Sequence, residues 1–274
     1  MNRSPAGAVV TGAGRGLGRL IAAILVERGH RVLVTDIDED AAHATAAELG
    51  PDVLWAAVDV RDETRTAAAR DLIMARSGRL DVWVNNAGVL VTGPAWEQPP
   101  EVRRLMLEVN GLGTVNGTVA AIEAMRGTGG HIVNVVSLAG LTAVPGEAVY
   151  AASKHAAIGF SLSTLADLRL AGIKEIDISC LCPDGIWTPM LHDKLDDPAS
   201  ALSFSGTLLE PEEAAAAVRK VLDRPRPVTA IPRRRGLQVR LADAFPSLGL
   251  RAVPLAVARG RRVQRKMRAG AAPK

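Results

Sequence analysis

Tyr150 is the only tyrosine in this chain. It stands four residues before Lys154 in Tyr-Ala-Ala-Ser-Lys, with Ser137 thirteen positions upstream. If the segment from Val149 onward is helical, residues four apart share a face, so the phenol and the ammonium point into one site. A phenol ordinarily holds its proton to a pKa of about 10, and a fixed positive charge nearby brings that value toward neutrality. Tyr150 can then take a proton from an alcohol or return one to a ketone, with Lys154 as its tuner and no metal involved. By itself such a pair is more often a buried ring beside a solvated lysine, so the rest of the chain has to decide.

The elements that must position these groups are legible as an alternation. Short β-rich runs at Ala8–Val10, Val32–Thr35, Val53–Val58, Val82–Val84, Ile132–Val136, Ile176–Leu181 and Val228–Ile231 alternate with longer segments rich in Ala, Leu and Arg. Helices fit 16–29, 38–49, 61–77, 98–126, 149–171 and 211–223. The pattern predicts an α/β fold: a three-layer αβα, Rossmann-type, doubly wound parallel sheet of about seven strands in a single domain. A length of 274 residues with 48% apolar content suits one large domain of this kind.

The chain enters a strand-like Ala8-Val9-Val10 almost at once and has no long uninterrupted apolar run, so neither a signal peptide nor a spanning helix is expected. Cys180 and Cys182 fall on one face of a strand and read as buried, unbridged thiols suited to a reducing cytoplasm. No metal site is expected, because no further cysteine exists and the five histidines are scattered.

Thr11-Gly-Ala-Gly-Arg-Gly-Leu-Gly18 lies between the first strand and the first helix. Such a turn lets main-chain N–H groups approach a pyrophosphate, helped by the helix N-terminus. Gly12, Arg15, Gly16, Leu17 and Gly18 are the candidate contacts. Asp36 ends the second strand, where a carboxylate accepts the ribose hydroxyls of NAD and repels the 2′-phosphate of NADP. NAD is therefore preferred, although Arg15 is suited to a 2′-phosphate. Asp59 and Val60 close the third strand, and Asn85-Asn86-Ala87-Gly88 closes the fourth; their small and amide side chains suit adenine and ribose, though turn formation explains them equally.

With these pieces in order, the chain resembles the short-chain dehydrogenase/reductase family over about residues 7–232. The resemblance rests on Thr11–Gly18, Asp59, Asn85–Gly88, Asn110, Ser137, Tyr150 with Lys154, and Pro183 to Thr188. It implies that Tyr150 is the acid/base and that Ser137 holds the substrate oxygen. It implies further that Lys154 also binds the nicotinamide ribose, and that Asn110 interrupts a long helix and positions a water relay. Pro183, Ile186 and Thr188 would touch the nicotinamide, and the helices at 98–126 and 149–171 would join subunits into a homodimer or homotetramer.

One departure stands out: Asp184 takes the place of a usual glycine in Cys182-Pro-Asp-Gly-Ile-Trp-Thr188. Its carboxylate either stabilises an oxidised nicotinamide or, the preferred reading, turns away to cap the next loop. The family's lid falls at about 188–210, where Met190, Leu191, Leu195, Leu202, Phe204, Leu208 and Leu209 point to a small hydrophobic alcohol or ketone, such as a steroid, terpenoid or long-chain compound. Lid packing explains the same residues.

Residues 1–232, the expected catalytic domain, hold 21 basic and 28 acidic side chains, whereas 233–274 hold 12 basic and one acidic. This basic amphipathic extension, broken into short pieces by Pro246 and Pro254, is expected to pack on the body or a partner subunit, with peripheral membrane contact as the alternative. One aromatic, Phe245, offers little for base stacking, so nucleic acid is not an expected partner. The expected activity is NAD-dependent hydride transfer to and from a secondary alcohol or ketone. The competing readings are an NADP-dependent carbonyl reductase and a catalytically silent dinucleotide-binding protein recruited through its tail.

Overall fold

The computed structural model describes residues 5–270. Seven strands form one parallel sheet: β1 (Gly7–Thr11), β2 (Arg31–Asp36), β3 (Leu54–Ala57), β4 (Leu80–Asn85), β5 (Gly130–Val135), β6 (Ile176–Pro183) and β7 (Val228–Ile231). Their order is β3-β2-β1-β4-β5-β6-β7, so the winding reverses between β1 and β4. Loops leaving those two strands diverge and open a crevice at their carboxyl ends, the place where such sheets hold ligands.

Alternation along each strand feeds two cores. Ala8 and Val10 face the side covered by α1 (Gly16–Glu27), α2 (Glu39–Leu49) and α8 (Pro211–Asp223), packing with Ile21, Leu25 and Val218. Val9 faces the other side, where Ile73 of α3 (Glu63–Ser77), Met125 of α5 (Gly113–Met125) and Leu168 of α6 (Ala148–Leu170) close over Trp83 and Ile132. A sheet covered on both faces buries both sets of side chains, which is why its strands read as continuous apolar runs.

The segment expected as one helix at 98–126 is divided. It runs as α4 (Pro100–Leu107), a π-turn at Glu108–Leu112 and α5, with Asn110 inside the π-turn. One extra residue per turn rotates Asn110 inward, and π-bulges of this kind recur at functional sites.

A second departure lies in the extension. Pro246 separates α9 (Arg233–Ala244) from α10 (Pro246–Arg268), but Pro254 does not break α10 as expected. The proline withholds one backbone donor, and packing on the lid stabilises the helix around that loss. Gly260 sits so close to the Ala201 carbonyl that any side chain would collide. Gln264 is buried and donates to Asp197 O at 2.9 Å and Ser200 Oγ at 3.0 Å.

Candidate active site

The glycine turn is shaped for close approach. Gly12 and Gly16 have φ of +61° and +57°, a region that disfavours a side chain. A Cβ on Gly12 would lie 2.7 Å from Ala87 Cα, whereas one on Gly16 would meet only Thr188 Cγ2, at 3.9 Å, across open space. Arg15 precedes α1 in extended conformation without capping it, so the first-turn N–H groups have no side-chain acceptor. The ends of β1 and β4 are tied across the crevice: Thr11 Oγ1 accepts from the N–H groups of Asn86 and Ala87 at 3.0 and 3.1 Å, and Asn86 Nδ2 donates to Gly12 O at 2.8 Å.

Asp36 accepts from Gly14 N–H at 2.9 Å and Asp38 N–H at 3.2 Å, which leaves acceptor capacity on each carboxylate oxygen. Asp59 is clamped by Arg61, with Nη2 at 2.6 Å, and this partner holds its carboxyl below the usual range. Asn85 serves the interior instead, accepting from Trp83 Nε1 at 2.8 Å and donating to Asn134 at 2.8 Å.

These groups line one cavity of about 1020 Å³ that runs from Asp36 and the glycine turn past Asn86, Ala87 and Gly88 to Ser137, Tyr150 and Lys154. Its volume lies at the upper end of the usual range for small-molecule pockets, about 1,000 Å³. Asp59, Val60, Leu17, Pro183, Ile186 and Thr188 line it too. Asn110 does not. Fully buried behind Gly88, it accepts from Val89 N–H at 2.8 Å and donates to Val89 O at 2.9 Å and Ser153 Oγ at 3.0 Å. The π-turn is thereby bolted to the Gly88 loop and to α6.

Lys154 is buried, its Nζ donating to Val135 O at 3.1 Å and lying 5.7 Å from the centre of the Tyr150 ring. Burial lowers its pKa to about 8. The expected tuning of Tyr150 does not hold for the free protein. Burial pushes the phenol upward, the charge of Glu147 pushes it further, and hydrogen bonding with Ser137 opposes only in part. Desolvation of the phenolate is the largest of these effects.

Glu147, absent from the sequence reading, is the acidic neighbour. It precedes α6, is buried at the cavity wall, accepts a hydrogen bond from Ser203 of the lid and has a pKa raised by burial to about 7. No sequence pattern marks it, since a glutamate before a helix is ordinary; only the lid's closure over it makes it unusual.

Asp184 turns away from the reacting end, accepting from Thr207 N–H at 2.9 Å and pairing with Arg235 Nε at 3.0 Å. Capping is the correct reading, with α9 as an added partner. The base of the lid is fastened by Trp187 N–H to Leu209 O and Leu209 N–H to Gly185 O, both 2.8 Å. Of the lid's apolar residues Met190, Leu191 and Leu202 line the cavity, while Phe204 and Leu209 are buried. Val239, Ala242, Leu250 and Val253 bring α9 and α10 into the same wall.

Comparison with known proteins agrees with this geometry. The family model for short chain dehydrogenases matches residues 6–199. The chain belongs to the short-chain dehydrogenase/reductase family, a family of oxidoreductases that bind a nicotinamide dinucleotide. It is 36% identical over 219 residues to a cyclopentanol dehydrogenase of Comamonas testosteroni, covering 77% of this chain and 86% of that protein. To a 1-deoxy-11-beta-hydroxypentalenate dehydrogenase of Streptomyces avermitilis it is 34% identical over 252 residues, 89% of this chain and 90% of the relative. A short chain dehydrogenase/reductase from Burkholderia phymatum, solved with NAD, superposes with a TM-score of 0.81 at 26% identity, over 91% of this chain and 96% of that one.

Proposed function

We propose that the protein is an NAD-dependent dehydrogenase of a hydrophobic secondary alcohol, working in reverse as a ketone reductase. The observation that carries this reading is a single cavity joining Asp36 and the glycine turn at one end to Ser137, Tyr150 and Lys154 at the other. Gly12, Arg15, Gly16, Leu17 and Gly18 would hold the pyrophosphate, Asp36 the adenosine ribose, Asp59, Val60, Asn86, Ala87 and Gly88 the adenine side, and Pro183, Ile186 and Thr188 the nicotinamide. When bound, the oxidised nicotinamide is cationic and accepts the hydride lost by the alcohol carbon.

The chain's own residues handle the oxygen and the proton. Ser137 hydrogen-bonds the substrate oxygen and Tyr150 exchanges its proton, so alcohol oxidation leaves a neutral phenol and a ketone. Because the phenol is pushed upward in the free protein, it holds its proton there; forming the phenolate that oxidation needs requires the added positive charge of an occupied site. Lys154 would hold the nicotinamide ribose, and Asn110 keeps the Gly88 loop and α6 in register.

Residues 1–232 would form the catalytic unit, with 188–210 as lid and 233–274 as an appended wall. The apolar lining from lid and extension favours an alicyclic or other hydrophobic substrate, in keeping with relatives named for cyclopentanol and a hydroxypentalenate. A panel of such alcohols with NAD and with NADP, read as absorbance of the reduced cofactor, tests the proposal. Turnover with NAD is expected; reduction of neither coenzyme by any member would overturn it.

A further inference from the structure

The extension has an outer surface that the catalytic reading does not use. On α9 and the start of α10, Leu237, Leu241, Phe245, Leu248 and Leu255 are exposed by 63%, 54%, 60%, 62% and 77%. Their spacing is regular. Leu237 and Leu241 are four apart on one face of α9, and Leu248 and Leu255 are seven apart on one face of α10. Exposed arginines accompany them: Arg233 and Arg240 on α9 and Arg251 and Arg262 on α10, while Arg234 and Arg259 line a small cleft with Ser205, Gly206 and Thr207 of the lid. Among the described residues, none of these six pairs with a carboxylate. The arginines of the extension that do pair, Arg235 and Arg268, meet Asp184 and Asp196 on the lid side.

We propose that this helical hairpin docks on an anionic lipid surface. Large apolar side chains ringed by unpaired cations match a bilayer's acyl boundary and its charged headgroups, with the arginine stems spanning both zones. A second copy of the chain is the poorer fit. A symmetric contact would set the same arginines against one another, across a segment with 12 basic residues and one acidic. A nucleic acid lacks the acyl phase that five exposed leucine and phenylalanine side chains demand, and one phenylalanine gives no stacking platform.

Position gives the surface a use. Pro246, Gly249, Leu250 and Val253, from the same end of α10, line the active-site cavity directly beside Phe245 and Leu248. A hairpin seated in lipid would therefore bring the cavity's α10 wall to the membrane, where hydrophobic alcohols dissolve. No helix among the described residues is long and apolar enough to cross a bilayer, and the contact proposed is a peripheral one. This deepens the proposed function in naming where the substrate comes from, but it is read by binding alone, without turnover.

The test is cosedimentation of the full-length protein with phosphatidylcholine vesicles and with mixed phosphatidylcholine/phosphatidylglycerol vesicles at low and high salt. The protein should pellet with the mixed vesicles and be partly released by salt. The double substitution Leu241→Glu and Phe245→Glu, at positions outside the cavity, should cut binding at least about tenfold. An unchanged circular-dichroism melt of that variant keeps the comparison one of surface, not folding. Failure to pellet, or equal pelleting with both vesicle types, overturns the proposal. So does a fall in molar mass by light scattering in the double variant when the wild-type protein stays off vesicles, since the surface would then belong to a second copy.

Discussion

Glu147 and Tyr150 lie three residues apart at the head of α6 and share a cavity wall, so the charge on one bears on the other. With its pKa raised from 4.5 to about 7, the glutamate is neutral in both folded and unfolded chains at low pH. As pH climbs from about 4.5 to 7 the unfolded chain ionises first, and stability falls; above that range the penalty stands in full, about 3 kcal/mol. Glu147→Gln keeps a partner for Ser203 and removes the titration. Its unfolding free energy should lose less than that of the parent between pH 5 and 7 in denaturant titrations, and matching slopes would exclude this carboxyl as the source. In the proposed function Asp36 sets the coenzyme choice. Asp36→Ala should weaken NAD binding by roughly tenfold or more, the scale of a charge-assisted hydrogen bond, while narrowing the gap to NADP. Isothermal titration measures both, and an unaltered NAD affinity would remove Asp36 from the ribose site.

The lid is tied to the body through Ser203 and Glu147 and to the extension through Gln264. Gln264 of α10 donates to the lid carbonyl of Asp197 and to Ser200 Oγ, and its replacement by leucine removes both bonds at a cost of about 1–3 kcal/mol in all. Gln264→Leu should speed hydrogen exchange over 194–204 without affecting β1 to β5; uniform protection would show that the extension does not order the lid. The sequence led to the expectation that the extension packs on the body or a partner subunit, but nothing in it singled out the lid as the surface it meets. Periodicity located all seven strands within a residue or two because each is apolar on both faces. Periodicity alone ran one helix over 98–126, and only the family resemblance marked Asn110 as the point where it is interrupted. The pattern gave no sign that Pro254 lies within a continuous helix, that Glu147 is sealed under Ser203, or that Val239 and Leu250 reach the cavity. Those facts depend on contacts between segments far apart in the chain, which no local pattern encodes.

At the scale of the molecule, cavity, lid and extension form one assembly on a sheet whose switch point fixes the cofactor end. Leu112, Val119 and Leu162 project from the π-turn, α5 and α6 with 46%, 45% and 37% of their surface exposed, a face suited to self-association. Leu112→Glu combined with Val119→Glu should lower the molar mass in sedimentation to that of the single chain of 28.8 kDa; an unchanged mass would place any interface elsewhere. The central claim is narrower: a phenol at the end of the dinucleotide cavity carries the proton. Tyr150→Phe tests it most directly, with turnover of the best alcohol and NAD affinity measured on the same preparation. The account predicts a fall in kcat of at least about a hundredfold with NAD binding nearly intact. Retention of most of the activity would contradict it.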